Sequence, residues 1–303
     1  MHDFSQKFLF NHRPIRGEFV RLTKTYQDIL SQHNYPQNIQ KILGESLCAT
    51  ALLHGLFNSE SKNSGKITLQ FQGTGKLELL SIHGDLSYMR ALVKTSPDFC
   101  DQDSLLDALQ LGKLVLTYEA ASESQNNFNQ TKCQSILEVI GADIAKNIEH
   151  YFKQSEQIDT KIWLSVTPFS VSGFLLQRLP SSNLDSLDSL DSLDALNTSD
   201  PEELWNDAII RAKTLFDQEL QTLAPEVLLT RLYPEDDIQL FHPKEIEFNC
   251  PCSKKRMEQA LLTMPREEIQ KILDEEEHID VTCQFCGKAH SFDLIDIEQL
   301  FRG

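Results

Sequence analysis

The chain has 303 residues, 40% of them hydrophobic, and a formal charge of −17 from 28 basic and 45 acidic side chains. That length holds one large domain and a smaller one, and the acidity suits the chain poorly to phosphate backbones, which demand clustered Lys and Arg. No stretch approaches the ~20 apolar residues of a membrane span, so neither nucleic acid nor a bilayer is an expected partner. The opening Met1-His2-Asp3-Phe4-Ser5-Gln6-Lys7 lacks the cationic and apolar segments of a signal peptide, and a cytoplasmic location with reduced thiols is expected.

Residues 1–180 read as one α+β domain. Tyr26–His33 and Gln37–Phe57 are predicted helices; in the second, Ile39, Ile42, Leu43, Ser46 and Leu47 recur at helical spacing, followed by Thr50, Leu53 and Leu56 or Phe57. Lys66–Gln72 switches to period two, with Ile67, Leu69 and Phe71 on one face and Thr68, Gln70 and Gln72 on the other. Gly73-Thr74-Gly75 is a turn and Lys76–Ile82 a partner strand, which makes a hairpin. Leu114–Tyr118 and Ile162–Val166 are further strands, and Gly141–Gln154 is a helix. No phosphate loop, Ser/His/Asp arrangement or paired-carboxylate motif stands out, and the chain does not read as an enzyme.

Leu184-Asp185-Ser186 then repeats in tandem as far as Asp194. Leucines every three residues drift about 60° per step around a helix and match no strand either. A disordered acidic insert is expected over 181–199, and it marks a domain boundary. The segment 200–233 reads as a helical linker. Ser199 or Asp200 can cap a helix, Pro201 suits its first turn, and Glu202 and Glu203 complement the dipole. Trp205, Ala208, Ile209, Ala212, Leu215, Phe216, Leu220 and Leu223 form a broad apolar stripe that must dock. It docks either permanently or only while the next domain holds it.

The seven cysteines are unevenly placed. Cys48, Cys100 and Cys133 are scattered, and Cys48, within an apolar run, reads as a small buried hydrophobe. The other four form two short pairs, Cys250-Pro251-Cys252 and Cys283-Gln284-Phe285-Cys286, with 30 residues between them. Two such pairs supply a tetrahedral thiolate shell of the kind Zn²⁺ prefers, so Cys250, Cys252, Cys283 and Cys286 are the expected ligands of one zinc per chain. Gly287 after the second pair lets backbone amides turn toward sulfur, and His290 is a surplus candidate because the shell is already complete. Thiolates crowded one residue apart beside Lys254-Lys255-Arg256 favour oxidation, and a disulfide between near neighbours is strained and easily reduced again. A reversible sensor and a permanent zinc module both accommodate the spacing.

With its Cys-X-Cys and Cys-X-X-Cys pairs, the sequence resembles the thirty-three-kilodalton heat-shock protein family of redox-regulated holdase chaperones. The likeness extends to the approach, Leu228-Leu229-Thr230-Arg231-Leu232-Tyr233 and Ile246-Glu247-Phe248-Asn249-Cys250. It includes Arg16-Gly17-Glu18, Leu69-Gln70-Phe71-Gln72-Gly73, Tyr151-Phe152-Lys153-Gln154-Ser155-Glu156-Gln157 and Leu175-Leu176-Gln177-Arg178-Leu179-Pro180. It spans nearly the whole chain apart from the Leu-Asp-Ser insert and a diverged stretch at 121–139. The resemblance implies an α+β core, a helical linker and a small zinc domain. It implies zinc on the four cysteines in the reduced, inactive form and the disulfides Cys250–Cys252 and Cys283–Cys286 in the oxidised, active one. It further implies an ATP-independent holdase, dimeric when active, that binds unfolding clients under oxidative stress and passes them to ATP-dependent foldases.

The C-terminal part, taken as 234–303, has 70 residues, where metal is a main source of stability, and its 16 acidic and 8 basic side chains repel one another without it. Two other readings compete. A zinc ribbon contacting nucleic acid has only Lys254-Lys255-Arg256 as a basic track. A thiol–disulfide oxidoreductase would place its Cys-X-X-Cys at a helix start, whereas Cys283 follows the strand-like Ile279-Asp280-Val281.

Overall fold

The first strands, β1 (Phe4–Phe10) and β2 (Ile15–Leu22), form an antiparallel hairpin. The computed structural model describes residues 2–57, 65–85, 87–120, 132–180 and 200–301, so the Leu-Asp-Ser insert lies outside the described residues. The chain divides into two units, one of residues 1–30 and 35–248, the other of residues 31–34 and 249–303.

In the first unit, α1 (Lys24–Leu30) precedes the long helix α2 (Gln37–Phe57). A mixed second sheet follows, built from β3 (Lys66–Gln72), β4 (Leu77–Gly84), β5 (Tyr88–Thr95), β6 (Lys113–Glu119) and β7 (Lys132–Glu138), with the short helix α3 (Leu105–Leu109) between β5 and β6. Helix α4 (Ile144–Tyr151) runs into a π turn at Phe152–Glu156 and leads to β8 (Thr160–Val166) and β9 (Val171–Arg178). Strands β9 and β8 extend the first sheet in the order β1-β2-β9-β8. Three helices, α5 (Pro201–Ala212), α6 (Asp217–Thr222) and α7 (Pro225–Leu232), precede β10 (Ile238–Leu240) and β11 (Lys244–Glu245), both paired with β1, and β12 (Glu247–Phe248), paired in parallel with β5.

The predicted hairpin is present, with Ile67 opposite Gly84 and Phe71 opposite Leu80. Its turn depends on glycine for space: a Cβ on Gly73 would lie 2.1 Å from the Leu109 carbonyl oxygen, because the end of α3 backs directly onto it. The predicted helix Gly141–Gln154 begins later, at Ile144, where Asp143 caps it.

Helix α2 differs most from its expected single stripe. Gly44, Cys48, Ala49, Ala51, Leu52 and Gly55 are buried along with the predicted positions, so the helix is enclosed all round. It lies between the sheets, packing on β2, β8 and β9 of one and on β3, β4 and β5 of the other. The first sheet is covered on both faces. Val20, Leu22, Val171 and Leu175 face α2, while Phe8, Phe10, Phe19, Phe174 and Leu176 meet Trp205, Ala208, Ile209, Leu228 and Leu232 of the linker helices.

The linker segment forms three helices. Asp200 caps α5, its side chain accepting from the Glu202 amide, and Pro201 opens the helix. The helix ends at Ala212, however, and Phe216 becomes the cap residue of α6, which turns its ring outward to 68% exposure. Arg13 holds this layer down, with Nε 2.5 Å from Asp236 and Nη1 2.6 Å from Asp207. Arg21 donates to the carbonyls of Leu220 and Leu223 at 2.8 and 2.7 Å.

The second unit contains α8 (Lys254–Leu261), α9 (Arg266–Glu275), the hairpin β13 (His278–Thr282) and β14 (Ala289–Asp293), and α10 (Leu294–Leu300). It begins at Asn249, whereas the sequence placed the boundary at Pro234. Strands β10, β11 and β12 account for the difference, since their backbone bonds go to β1 and β5. Glu235, Asp236, Asp237, Glu245 and Glu247 therefore belong to the first unit, and residues 249–303 carry eleven acidic and seven basic side chains, a smaller self-repulsion than expected. Among the described residues, no helix is long and apolar enough to cross a membrane.

Candidate metal centre

Cys250 and Cys252 lie in the short loop between β12 and α8. Ser253 ends that loop by capping α8, its hydroxyl accepting from the Arg256 amide, so the chain must turn immediately after the second cysteine. Cys283 follows the last residue of β13, and Cys286 sits in the turn to β14. This turn is a knuckle closed by the Gly287 amide on the Cys283 carbonyl at 2.8 Å and the Cys283 amide on the Lys288 carbonyl at 2.9 Å. Gly287 has φ +66°, a conformation that strains any residue with a Cβ.

The four Sγ atoms lie within 4.8 Å of one another. The shortest approaches run between the pairs, with Cys250 3.7 Å from Cys283 and Cys252 3.5 Å from Cys286. A tetrahedron of Zn–S bonds near 2.3 Å has edges of about 3.8 Å, so these sulfurs stand where a closed thiolate shell needs them. The donor set fits zinc. Cys283 is buried and the other three half-buried. His290 is outside the cluster, in register with Val281 on the hairpin.

The electrostatics of the site come from the backbone more than from the neighbouring cations. Burial pushes the Cys283 thiol up, but the Cys286 and Phe285 amides aimed at its sulfur outweigh this and bring it below the usual thiol range. Burial raises Cys286 against the pull of the Lys288 amide, and raises Cys252 together with the charges of Cys250 and Cys283. Lys254 is engaged elsewhere, 2.7 Å from Asp296 and over the Phe292 ring, and Arg256 donates to the Pro251 carbonyl at 2.8 Å.

The remaining cysteines take no part. Cys48 is fully enclosed in the core against Gly173, where burial raises its thiol far above the ordinary range. Cys100 and Cys133 are exposed on the first unit. Sequence reading missed Arg13 and Arg21 as anchors of the linker layer; their partners lie about two hundred positions away, and nothing local announces such a pairing.

A family model described as Hsp33 protein matches residues 3–293. The chain belongs to the Hsp33 family. It is 33% identical over 307 residues to the 33 kDa chaperonin of Serratia proteamaculans, covering 100% of this chain and 96% of that one. It is 35% identical to the 33 kDa chaperonin of Methylobacillus flagellatus, over 99% of this chain and 94% of the relative. The one of Vibrio cholerae is also 35% identical, over 97% and 94%. The crystal structure of the 33 kDa chaperonin from Thermotoga maritima superimposes with a TM-score of 0.75 at 19% identity, covering 99% of this chain and 98% of that one. At that identity it speaks to the fold alone, the same mixed helix and sheet architecture.

Proposed function

We propose that this Hsp33 family member is a redox-regulated, ATP-independent holdase chaperone rather than an enzyme. The observation that carries the proposal is the gathering of four thiol sulfurs within 4.8 Å in a unit whose buried apolar core consists of Leu261, Ile269, Ile279, Phe292 and Ile297. So small a core is marginal, and structural zinc in small peptides contributes roughly 10–16 kcal/mol against a typical domain stability of about 5–15 kcal/mol. Zinc, when bound, offsets the crowded negative charge of the four sulfurs and ties the two loops together.

In the reduced chain Cys250, Cys252, Cys283 and Cys286 hold one zinc. Oxidation pairs Cys250 with Cys252 and Cys283 with Cys286. For each pair, two thiolates give up two electrons to one hydrogen peroxide, whose O–O bond breaks to leave two hydroxides, or with two protons two waters, as the S–S bond forms. Losing one pair removes half of the ligands and exposes the other to the same chemistry. The unit of residues 249–303 then unfolds, and apolar surface becomes available to unfolding client proteins. The active form is a homodimer in the cytoplasm that passes its clients to ATP-dependent foldases.

The test follows zinc content, hydrogen exchange of residues 249–303 and suppression of client aggregation in one sample through oxidation by peroxide under mild heat. Zinc release, loss of protection and gain of activity are expected together. Full activity with zinc bound and the segment protected would sink the proposal.

A further inference from the structure

Strand β12 consists of Glu247 and Phe248 alone. It pairs in parallel with Tyr88 and Met89 at the start of β5, and the Glu247 amide donates to the Ser87 carbonyl at 2.9 Å. Strand β5 runs on to Thr95, and beyond Met89 no other strand pairs with that side among the described residues. The Val93 amide, which points away from β4, donates to the Tyr35 hydroxyl at 3.2 Å. By the alternation of a β-strand, Met89 and Ala91 direct their backbone groups the same way, and Ala91 is already fully buried. We propose that the stretch of this edge which β12 covers, from Ser87 to Met89, is a client-binding site, to which an extended segment of an unfolded polypeptide adds once β12 has left it.

The chain's own β12 shows that the edge accepts an added strand. Main-chain pairing is independent of sequence, which suits a ligand class defined only by being unfolded, and side chains at alternate positions can take apolar seats. One such seat exists, since Phe248 is half-buried against the main core. The anchoring of β12 is one-sided. Upstream, the Ile246 amide donates to the Asp3 carbonyl at 3.0 Å, its carbonyl accepts from the Thr25 hydroxyl at 3.3 Å, and the Asp3 carboxylate caps the start of α1. Downstream, Phe248 is separated from Cys250 by Asn249 alone. When residues 249–303 lose their fold, the downstream end of β12 loses its restraint while the upstream end stays attached, and a two-residue pairing is left to hold the edge. The opposite edge of the same sheet, β7, has Ile136 exposed and is not adjacent in the chain to the four clustered cysteines, and it serves as the internal control. This inference rests on the holdase reading above.

The experiment places a photo-cross-linking amino acid at Tyr88 or, as control, at Ile136 of the full-length chain. It uses carboxymethylated α-lactalbumin as a permanently unfolded probe. Oxidised protein should cross-link from position 88 at least fivefold more than from 136, and reduced protein from neither. In addition, Glu247→Pro removes the amide that bonds Ser87 without altering the cysteines. With full zinc content and a protected α2 confirmed, its reduced form should bind the probe at least fivefold more tightly than the reduced parent, and cross-link at 88. Two results overturn the proposal while leaving the holdase reading intact: oxidised protein that binds the probe without preference for position 88, or a zinc-loaded Glu247→Pro chain that binds no better than its parent. Oxidised parent protein that fails to bind at all overturns both.

Discussion

Helix α2 and the cysteine unit solve the same problem by opposite means. Around α2, two sheets enclose a helix whose residues are buried on every side, with Leu43, Leu47, Leu52 and Leu53 completely inaccessible. In residues 249–303, the buried apolar core among the described residues has five side chains, and two loops bring four sulfurs within 4.8 Å of one another. The first is stabilised by area removed from water, which no change of oxidation state alters. On the proposed reading, the second draws its stability from ligand bonds that a two-electron oxidation would remove. One part would then unfold on a chemical signal while the other stays folded.

The sharpest way to break this contrast is to remove the metal. Chelation, or Cys250→Ser, should abolish protection of amides in residues 249–303 while α2 stays protected, since roughly 10–16 kcal/mol of binding energy is lost in one unit only. Equal loss of protection in α2 by hydrogen exchange would show that the two stabilities are not separate.

The reciprocal change is Leu52→Ala. It opens a cavity beside Gly173 and Cys48 and should lower the stability of the first unit by about 2–5 kcal/mol, measured by urea unfolding followed at α2. Zinc affinity, read by competition with a chromogenic chelator, should not change.

A third, smaller effect is specific to the first unit. Glu18 is buried on β2 against Gly55 of α2, and burial raises its carboxyl to about 8, against the pull of Lys7 and the Ser5 hydroxyl. An acid raised in the folded state keeps a proton that the unfolded chain has lost. The stability this contributes is fully present below the unfolded value near 4.5 and declines as pH rises toward 8, by up to ~1.4 kcal/mol per pH unit. Glu18→Gln should flatten that slope in urea titrations between pH 5 and 8, while the chelator competition is unaffected. An unchanged slope would place the proton elsewhere.

The smallest expected effect belongs to the insert. Deleting Leu184 to Asp194, whose leucines follow no helical or strand period, should shift unfolding of either unit by no more than about 0.5 kcal/mol, as for a substitution away from packed surfaces. A large fall in Tm would show that it packs.

How much of this was legible in sequence depends on the range of the interaction involved. The Cys250-Pro251-Cys252 and Cys283-Gln284-Phe285-Cys286 loops are each local, and the β3–β4 hairpin and the Asp200 cap are also set within a few residues of themselves. The break at Ala212, which turns Phe216 outward, was not legible, because the apolar pattern from Trp205 to Leu223 continues across it. Strands β2 and β9 were missed as well. Both of their faces are covered, so the alternation that marks a half-buried strand is absent.

By itself the sequence determined the thiol donor set, the family resemblance and the acidity, since residue identity and short spacing carry all three. Only the tertiary structure decided that α2 is enclosed on every side, that Arg13 and Arg21 fasten the linker layer, and that the last residues before Cys250 add a strand to β5. Each of these joins groups tens to hundreds of positions apart, and such pairs are chosen by which surfaces can share a core, a property of the folded chain that no local pattern records.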